Sequence, residues 1–311
     1  RDGLLWCDND FEFDTQTELP EFSASEIIYI EHDTLAGVEC IQKTMDTLNK
    51  HIYSMPYTAT GIPREAVRKI GKEYHARDLF KRIVPEYLIQ LMLEKVYHGG
   101  FTHANRFYIS RTVKGRIKCK DFSSSYPFCM LAFKYPMERF TPINKAVEKE
   151  FILRNAEKYA FIFKIILKDV HLKPGVVMPA LQLSKCEKIV NSVEDNGRIL
   201  QAELAVINLT EQDLIVINEQ YEFKSACTEV YYSKKDYLPR WFTDYVFQCF
   251  EDKCKLKNGD PVLYSIAKAK LNSLYGMCVQ KPCRELIEED YMTGEYNIND
   301  DIPMTELYEK Y

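Results

Sequence analysis

Long hydrophobic runs are missing. No apolar stretch approaches the roughly 18 residues that a bilayer-spanning helix needs, so no membrane contact is expected. Internal repeats and low-complexity tracts are missing too, which excludes solenoids and tail-like disorder. No Gly-x4-Gly-Lys-Ser/Thr loop occurs, which argues against a phosphate-loop phosphotransferase. The six histidines (His32, His51, His75, His98, His103, His171) show no metal-ligand spacing. His98 and His103 read as exposed loop residues. Ten cysteines in 311 residues are too sparse for a disulfide scaffold and read as reduced thiols in the cytoplasm. Cys249-x4-Cys254 and Cys278-x4-Cys283 share one spacing, but it is wider than the usual zinc knuckle. The chain opens on Arg1 with no basic-then-apolar leader, so it reads as a processed chain or a piece of a longer one.

What is present is globular. Apolar residues make up 46 % and charged residues 28 %, enough to bury a core and to divide it among two or three domains. The net charge of -5 hides an uneven distribution. Residues 284–311 hold nine acids against Arg284 and Lys310. Residues 95–120 carry seven bases (Lys95, Arg106, Arg111, Lys114, Arg116, Lys118, Lys120) and no acid. A one-sign stretch of that kind can track a phosphate backbone, and it equally suits a solvated strand face.

The periodicity predicts a helix over 25–50 capped by Ser25, and a second over 64–96 that Gly99-Gly100 ends. A loop marked by Pro56, Gly61 and Pro63 separates them, and its Thr58, Thr60 and Arg64 read as a plain turn rather than a phosphate grip. Residues 106–122 read as two strands around Lys114-Gly115, with Asp121 on the apolar face at the end of the second. Strand-like alternation covers 159–184. Short strands and turns with no site signal fill 185–230. Pro239 opens a helix with an apolar face of Trp241, Phe242, Tyr245, Val246 and Phe250, and another helix covers 262–280. Thr293-Gly294-Glu295 reads as a turn in an acidic tail without a closing element.

Two constellations carry chemistry. In Lys268-Ala-Lys-Leu-Asn272-Ser273-Leu274-Tyr275-Gly276, helical spacing puts Lys268, Asn272 and Tyr275 on one face. A fixed positive charge, an amide and an aromatic plane together suit a triphosphate with a base or sugar stacked nearby. Gly276 permits close approach by another segment. Lys270 is a decoy, because its helical angle differs from that of Lys268 by about 200°. The bland alternative is an amphipathic helix with solvated lysines. In Asp121-Phe122-Ser-Ser-Ser-Tyr126-Pro127, a strand-end carboxylate is a natural divalent ligand. Tyr126 can press on a sugar and exclude a 2′-hydroxyl. The alternative there is a serine-capped turn.

Together these segments resemble the palm and fingers motifs of family B DNA polymerases, Asp-x-x-Ser-Leu-Tyr-Pro and Lys-x3-Asn-Ser-x-Tyr-Gly, with Ser125 in place of the usual Leu. Their order and the 149 positions from Tyr126 to Tyr275 are similar to the family's. Tyr97-His98-Gly99-Gly100 resembles its Tyr-x-Gly-Gly linker motif. With Phe101-Thr102 following, and a large insertion between the polymerase motifs, the chain looks most like the protein-primed branch of phages and linear plasmids. Tyr29-x3-Asp33 is similar to the third 3′–5′ exonuclease motif. The aromatic-x-Asp-Thr-Asp hairpin and the first two exonuclease motifs are absent, and Asp10-Phe11-Glu12 stands too near Tyr29 to serve.

The resemblance implies an α+β fold: an antiparallel palm with helices, helical fingers, and the C-terminal part of a ribonuclease-H-like exonuclease domain before them. The implied divisions are 1–96 for the exonuclease part, 97–134 for palm, 135–230 for an insertion resembling a terminal-protein-binding region, 231–279 for fingers and 280–311 for a second insertion. The implied reaction is template-directed dNTP addition on primer–template DNA by a monomer in the host cytoplasm, using two Mg2+ ions. Asp121 and the Phe122 carbonyl hold metal, Lys268 neutralises the pyrophosphate, and Asn272 and Tyr275 shape the base-pair pocket. Tyr126 rejects ribonucleotides, while Tyr97, Gly99 and Gly100 contact DNA. Asp33 binds an exonuclease metal and Tyr29 orients the water. A nucleic-acid-binding module without chemistry is the competing reading.

Overall fold

The computed structural model describes residues 22–56, 58, 60–102, 104–105, 107–281, 286–289, 293, 296–299 and 303–310. Asp10, Glu12, His103, Arg106, Cys283, Gly294, Glu295 and Asp300-Asp301 lie outside the described residues. The chain forms two compact units that divide between Met55 and Pro56. In the described residues no helix is long and apolar enough to cross a membrane.

The first unit holds helix α1 (Ala24–Leu48) and a short 3-10 turn, Ile52–Ser54. The cap is Ser23, not Ser25. Ser23 Oγ accepts from Glu26 N at 3.3 Å and Glu26 Oε2 accepts from Ser23 N at 2.7 Å, a capping box that satisfies two orphan donors at once. Asn49 closes the helix in the left-handed region with φ 49°. None of its residues is buried.

In the second unit, the single helix expected over 64–96 is three: α2 (Gly61–Glu73), α3 (Ala76–Ile83) and α4 (Tyr87–Val96). His75 breaks the first junction with φ 51°. At the second junction Val84 precedes Pro85, and a residue before proline is pushed out of helical geometry. Residues 61–73 pack on helices much later in the chain, α8 (Arg240–Leu256) and α9 (Pro261–Cys278).

The strand pair expected over 106–122 does not form. Residues 111–122 have no regular structure and Ile117 is 79 % exposed. The apolar half of that alternating pattern has no sheet to pack on, and an unpaired strand leaves its backbone groups to water. Helix α5 (Ser125–Ala132) follows.

The main sheet is wholly antiparallel. Its strands are β1 (Tyr135–Pro136), β2 (Thr141–Pro142), β3 (Tyr159–Leu172), β4 (Cys186–Val190), β5 (Val193–Asp195), β6 (Arg198–Thr210) and β7 (Tyr221–Asp236). The spatial order is β1-β7-β3-β6-β4, with β2 on β7 and β5 on β6. Helices α6 (Lys149–Asn155) and α7 (Glu211–Gln220) belong to the same assembly. The expected strand character of 159–184 holds only as far as Leu172, and Val176 and Val177 fall in a loop. Conversely, the stretch read as short strands and turns holds long β6, α7 and long β7. Phe161, Phe163, Ile165 and Leu167 alternate into the core with Ile199, Leu209, Leu214 and Ile217. The other face takes α4, through Ile89, Met92 and Val96 packed with Phe140 and Ile162.

Two polar clusters fix this unit. Lys235 Nζ lies 2.6 Å from Glu211 Oε1, both side chains nearly sealed from solvent. Glu211 Oε2 also accepts from Phe161 N at 2.7 Å, and Lys235 donates to the Ala156 carbonyl at 2.7 Å. Glu187 on β4 accepts from Lys95 of α4 and, at 2.8 Å, from Asn208 of β6, with Lys164 of β3 at 3.3 Å. The Lys95 hydrogen bond foremost, then the neighbouring amide and ammonium groups, hold the Glu187 carboxyl down at about 2.

The acidic tail is not an open end. Strands β8 (Leu286–Glu289) and β9 (Tyr296–Asn299) pair, and α10 (Met304–Lys310) follows. Tyr308 of α10 packs on Tyr87 at 5.4 Å between ring centroids and donates to the Pro85 carbonyl at 3.0 Å.

Candidate active site

Helices α5, α8 and α9 form one apolar cluster of Met130, Phe242, Val246, Cys249, Leu271 and Leu274, with Val67 of α2 against it. On α9 the buried residues Ala267, Leu271 and Leu274 face inward, which leaves Lys268 and Asn272 on the exposed side. Lys270 turns the other way, with its ammonium 5.4 Å from the centroid of the Tyr245 ring on α8. Lys268 makes no hydrogen bond or ion pair with any described residue, so its charge is free for an external anion.

Tyr275 lies one helical turn beyond Asn272 and stacks on Tyr126 of α5, with centroids 4.1 Å apart and planes 16° from parallel. The Tyr97 side chain acts electrostatically on the Tyr275 hydroxyl. Burial foremost, then the neighbouring Tyr97 side chain, raises the Tyr275 hydroxyl well above the ordinary tyrosine value. The Tyr126 hydroxyl lies 3.8 Å from where a Cβ on Gly100 would stand. Three segments far apart in sequence therefore meet at one aromatic pair. Gly276 has the close neighbour its spacing anticipates: a Cβ there would sit 3.3 Å from Thr60 Cγ2. Gln280 Nε2 donates to Thr60 Oγ1 at 3.1 Å, so the Thr60 turn is docked on the end of α9.

Asp121 and Phe122 lie just before this stack, both exposed, Phe122 at 88 %. Asp121 makes no hydrogen bond or ion pair with a described residue. The chain then turns through Ser124, which has φ 53° and whose Oγ accepts from Lys253 Nζ of α8 at 2.6 Å. A solvent-facing carboxylate suits a hydrated Mg2+ that also takes substrate phosphates. Among the described residues no cluster of three or more His, Cys, Asp or Glu side chains is arranged for a metal. Asp121 thus fits one ligand of a hard cation, with no such cluster of described side chains around it. Cys249 is buried in the helix cluster, where burial raises its thiol, and Cys254 is exposed, so this pair does not converge on zinc. Tyr29 and Asp33 share the exposed surface of α1 in the first unit.

One feature escapes the sequence reading. Residues 97–102 wall a cavity of about 990 Å³ whose other side is made by the loop after β3, by β6 and by α7. His98 is not a free loop histidine, since its Nε2 lies 3.2 Å from Asp213 Oδ1. Burial pushes the Asp213 carboxyl up, yet the bonds from His98 and Thr210 hold it below its ordinary value. Thr210-x2-Asp213 is a legible capping box, but nothing local announces its partner more than a hundred residues earlier.

The chain matches the family model described as DNA polymerase type B, organellar and viral, over residues 5–311. No curated protein matches it. Among solved structures it is similar to phi29 DNA polymerase complexed with primer–template DNA, at 19 % identity and a TM-score of 0.59, covering 95 % of this chain and 48 % of that one. It is equally similar to phi29 DNA polymerase complexed with single-stranded DNA, at 19 % identity and a TM-score of 0.59, covering 96 % of this chain and 50 % of that one. The chain therefore spans about half the length of these polymerases. At that identity the likeness shows the fold alone, a mixed helical and antiparallel α+β architecture.

Proposed function

We propose that this chain, which belongs to the organellar and viral type B DNA polymerase family, is the part of a replicative DNA polymerase that binds the incoming dNTP and the primer–template. The observation that carries this reading is the Tyr126–Tyr275 stack joined by Tyr97 and Gly100, because three polymerase-like motifs converge there. Tyr126 and Tyr275 form an aromatic floor for a nascent base pair and its sugar. The exposed Lys268 takes the triphosphate and neutralises charge on the leaving pyrophosphate. Asn272, one turn away, bonds the nucleotide's polar edge. Asp121, with the Phe122 carbonyl, is the chain's contribution to a Mg2+ site. When bound, the metal ions would supply charge neutralisation and polarise the phosphoryl oxygen. Tyr97, Gly99 and Gly100 lie along the DNA, Tyr29 and Asp33 belong to proofreading, and the sheet unit around β3, β6 and β7 receives a terminal priming protein. The setting is the cytoplasm of an infected or plasmid-bearing host, and the working species is a monomer.

The test is photolabelling of the purified chain with an azido-dNTP, alongside primer–template binding across a salt series. Labelling should map to α9, compete with dNTPs and drop at least tenfold in Lys268→Ala. DNA binding should weaken steeply with salt. Label on another element, or label indifferent to Lys268, would overturn the nucleotide assignment. DNA binding without nucleotide binding would leave the non-catalytic binding module. Robust dNTP incorporation by these 311 residues would contradict the metal scheme, because the second carboxylate set is not among them.

A further inference from the structure

Residues 97–101 leave α4 as an exposed strap without regular structure, yet three groups of the sheet unit grip it. Lys185, in the turn before β4, donates its ammonium to the Tyr97 carbonyl. Asp213 of α7 holds the His98 imidazole. Arg198, at the start of β6, lays its guanidinium 4.1 Å from the centroid of the Phe101 ring. Arg198 is itself fixed, donating Nη1 to the Ala180 carbonyl at 3.2 Å, and burial lowers the pKa of its guanidinium. Gln220 of α7 ties the same loop, accepting from Ala180 N at 2.8 Å and donating to the Met178 carbonyl at 3.1 Å. The strap's other edge meets the aromatic pair, through Tyr97 to Tyr275 and through Gly100 to Tyr126.

We infer that Lys185, Arg198 and Asp213 are positioning residues. They clamp the strap, with His98 and Phe101 as its anchor points, and so set where Gly100 meets the Tyr126 hydroxyl and thereby the Tyr126–Tyr275 stack. The chemistry favours this role over a ligand site for the cavity. Its charged groups are already spent on the strap and on the loop carbonyls, and what they fix is a backbone carbonyl, an imidazole and a ring plane in three consecutive directions. A cation over an aromatic face and a charge-assisted hydrogen bond are directional, so together they hold orientation as well as proximity. The consequence is a physical link from the clamp residues to the nucleotide floor some 60 to 90 positions away in sequence, through about two side-chain contacts. The positioning role in nucleotide binding rests on the polymerase reading; the clamp itself does not.

The experiment uses the whole chain labelled with 3-fluorotyrosine, with the Tyr275 ¹⁹F resonance assigned by Tyr275→Phe. Chymotryptic nicking after Tyr97 and Phe101 is followed in parallel. His98→Ala and Arg198→Ala should each speed nicking about fivefold, the effect of losing one hydrogen bond or one cation–π contact. Both should also shift the Tyr275 resonance, which neither residue touches. His98→Gln keeps a donor at the same reach and should restore both readouts. Lys224→Ala, which breaks the exposed Lys224–Asp169 pair on the same sheet, should change neither. If Arg198→Ala fails to fold, His98→Ala and His98→Gln carry the comparison alone. Unchanged nicking in a folded His98→Ala would overturn the clamp. Faster nicking with an unmoved Tyr275 would overturn the positioning role. Neither readout contains DNA or a nucleotide, so failure of the polymerase reading would appear separately, in the photolabelling.

Discussion

Tyr275 shows how one side chain can serve packing and chemistry together. Its ring stacks on Tyr126, which fixes the aromatic plane, while Tyr97 acts on its hydroxyl. Tyr275→Phe should keep the stack and lose only the polar contact of the hydroxyl, at a cost of no more than about 1 kcal/mol in chemical denaturation. Tyr126→Val removes the stack and, on the proposed function, the bulk that would exclude a 2′-hydroxyl. In a polymerase-competent chain it should raise ribonucleotide incorporation relative to dNTP by at least about tenfold, measured as a ratio of kcat/KM. Unchanged discrimination would remove Tyr126 from the sugar site. Gly276 marks the steric limit on the same helix. Gly276→Val should destabilise by roughly 1–3 kcal/mol, because its branches would meet the Thr60 methyl group. A thermal melt of the purified variant checks this.

At the scale of elements, polar contacts within the sheet unit decide which helix meets which strand. The Glu211–Lys235 pair bridges α7 and β7 in a nearly dry site, with each partner also bonded to backbone. Lys235→Met should cost about 3–5 kcal/mol, since it leaves a buried carboxylate without its cation. Adding Glu211→Leu should recover part of that loss but not all, because the Phe161 amide then lacks an acceptor. Urea denaturation of the single and double variants measures both effects. A smaller loss in the single variant than in the double would contradict this account. Secondary structure itself was only partly legible at this scale. The Pro239 helix starts where its proline signal puts it, and the motif helix stands within a residue or two of its expected bounds, because periodicity is strong there. The helix over 64–96 was overdrawn because the break at His75 needs a left-handed residue that no glycine or proline announces. Strand β7 was underread because its polar residues mask the alternation, and its sixteen residues are held by pairing along β3.

For the molecule as a whole, Glu187 ties α4 to three strands and makes stability depend on acid. Its carboxyl is depressed from an ordinary 4.5 to about 2 in the folded chain. A depressed carboxylate contributes stability that is fully present above the unfolded value and is lost as pH falls through the folded one. Wild type should therefore lose stability relative to Glu187→Gln between roughly pH 4.5 and 2, and hold a constant advantage above that window. Unfolding free energies across pH give the test, and parallel curves for the two proteins would exclude the effect.

The sequence by itself determined the family and which candidate residues share one helical face. Lys268, Asn272, Tyr275 and Gly276 stand at helical spacing, and a 3.6-residue period fixes which share a face without any tertiary information. The facing of Lys268 against Lys270 was legible for the same reason. Only the tertiary structure decided that Tyr97, Gly100, Tyr126 and Tyr275 meet. It also decided that His98 is anchored by Asp213, and that the segment before Asp121 stays unpaired among the described residues. Spacing along a chain encodes local geometry, whereas these contacts join positions from 26 to well over a hundred residues apart. Such contacts depend on which core each element finds to bury against, and that choice is made by the whole chain at once.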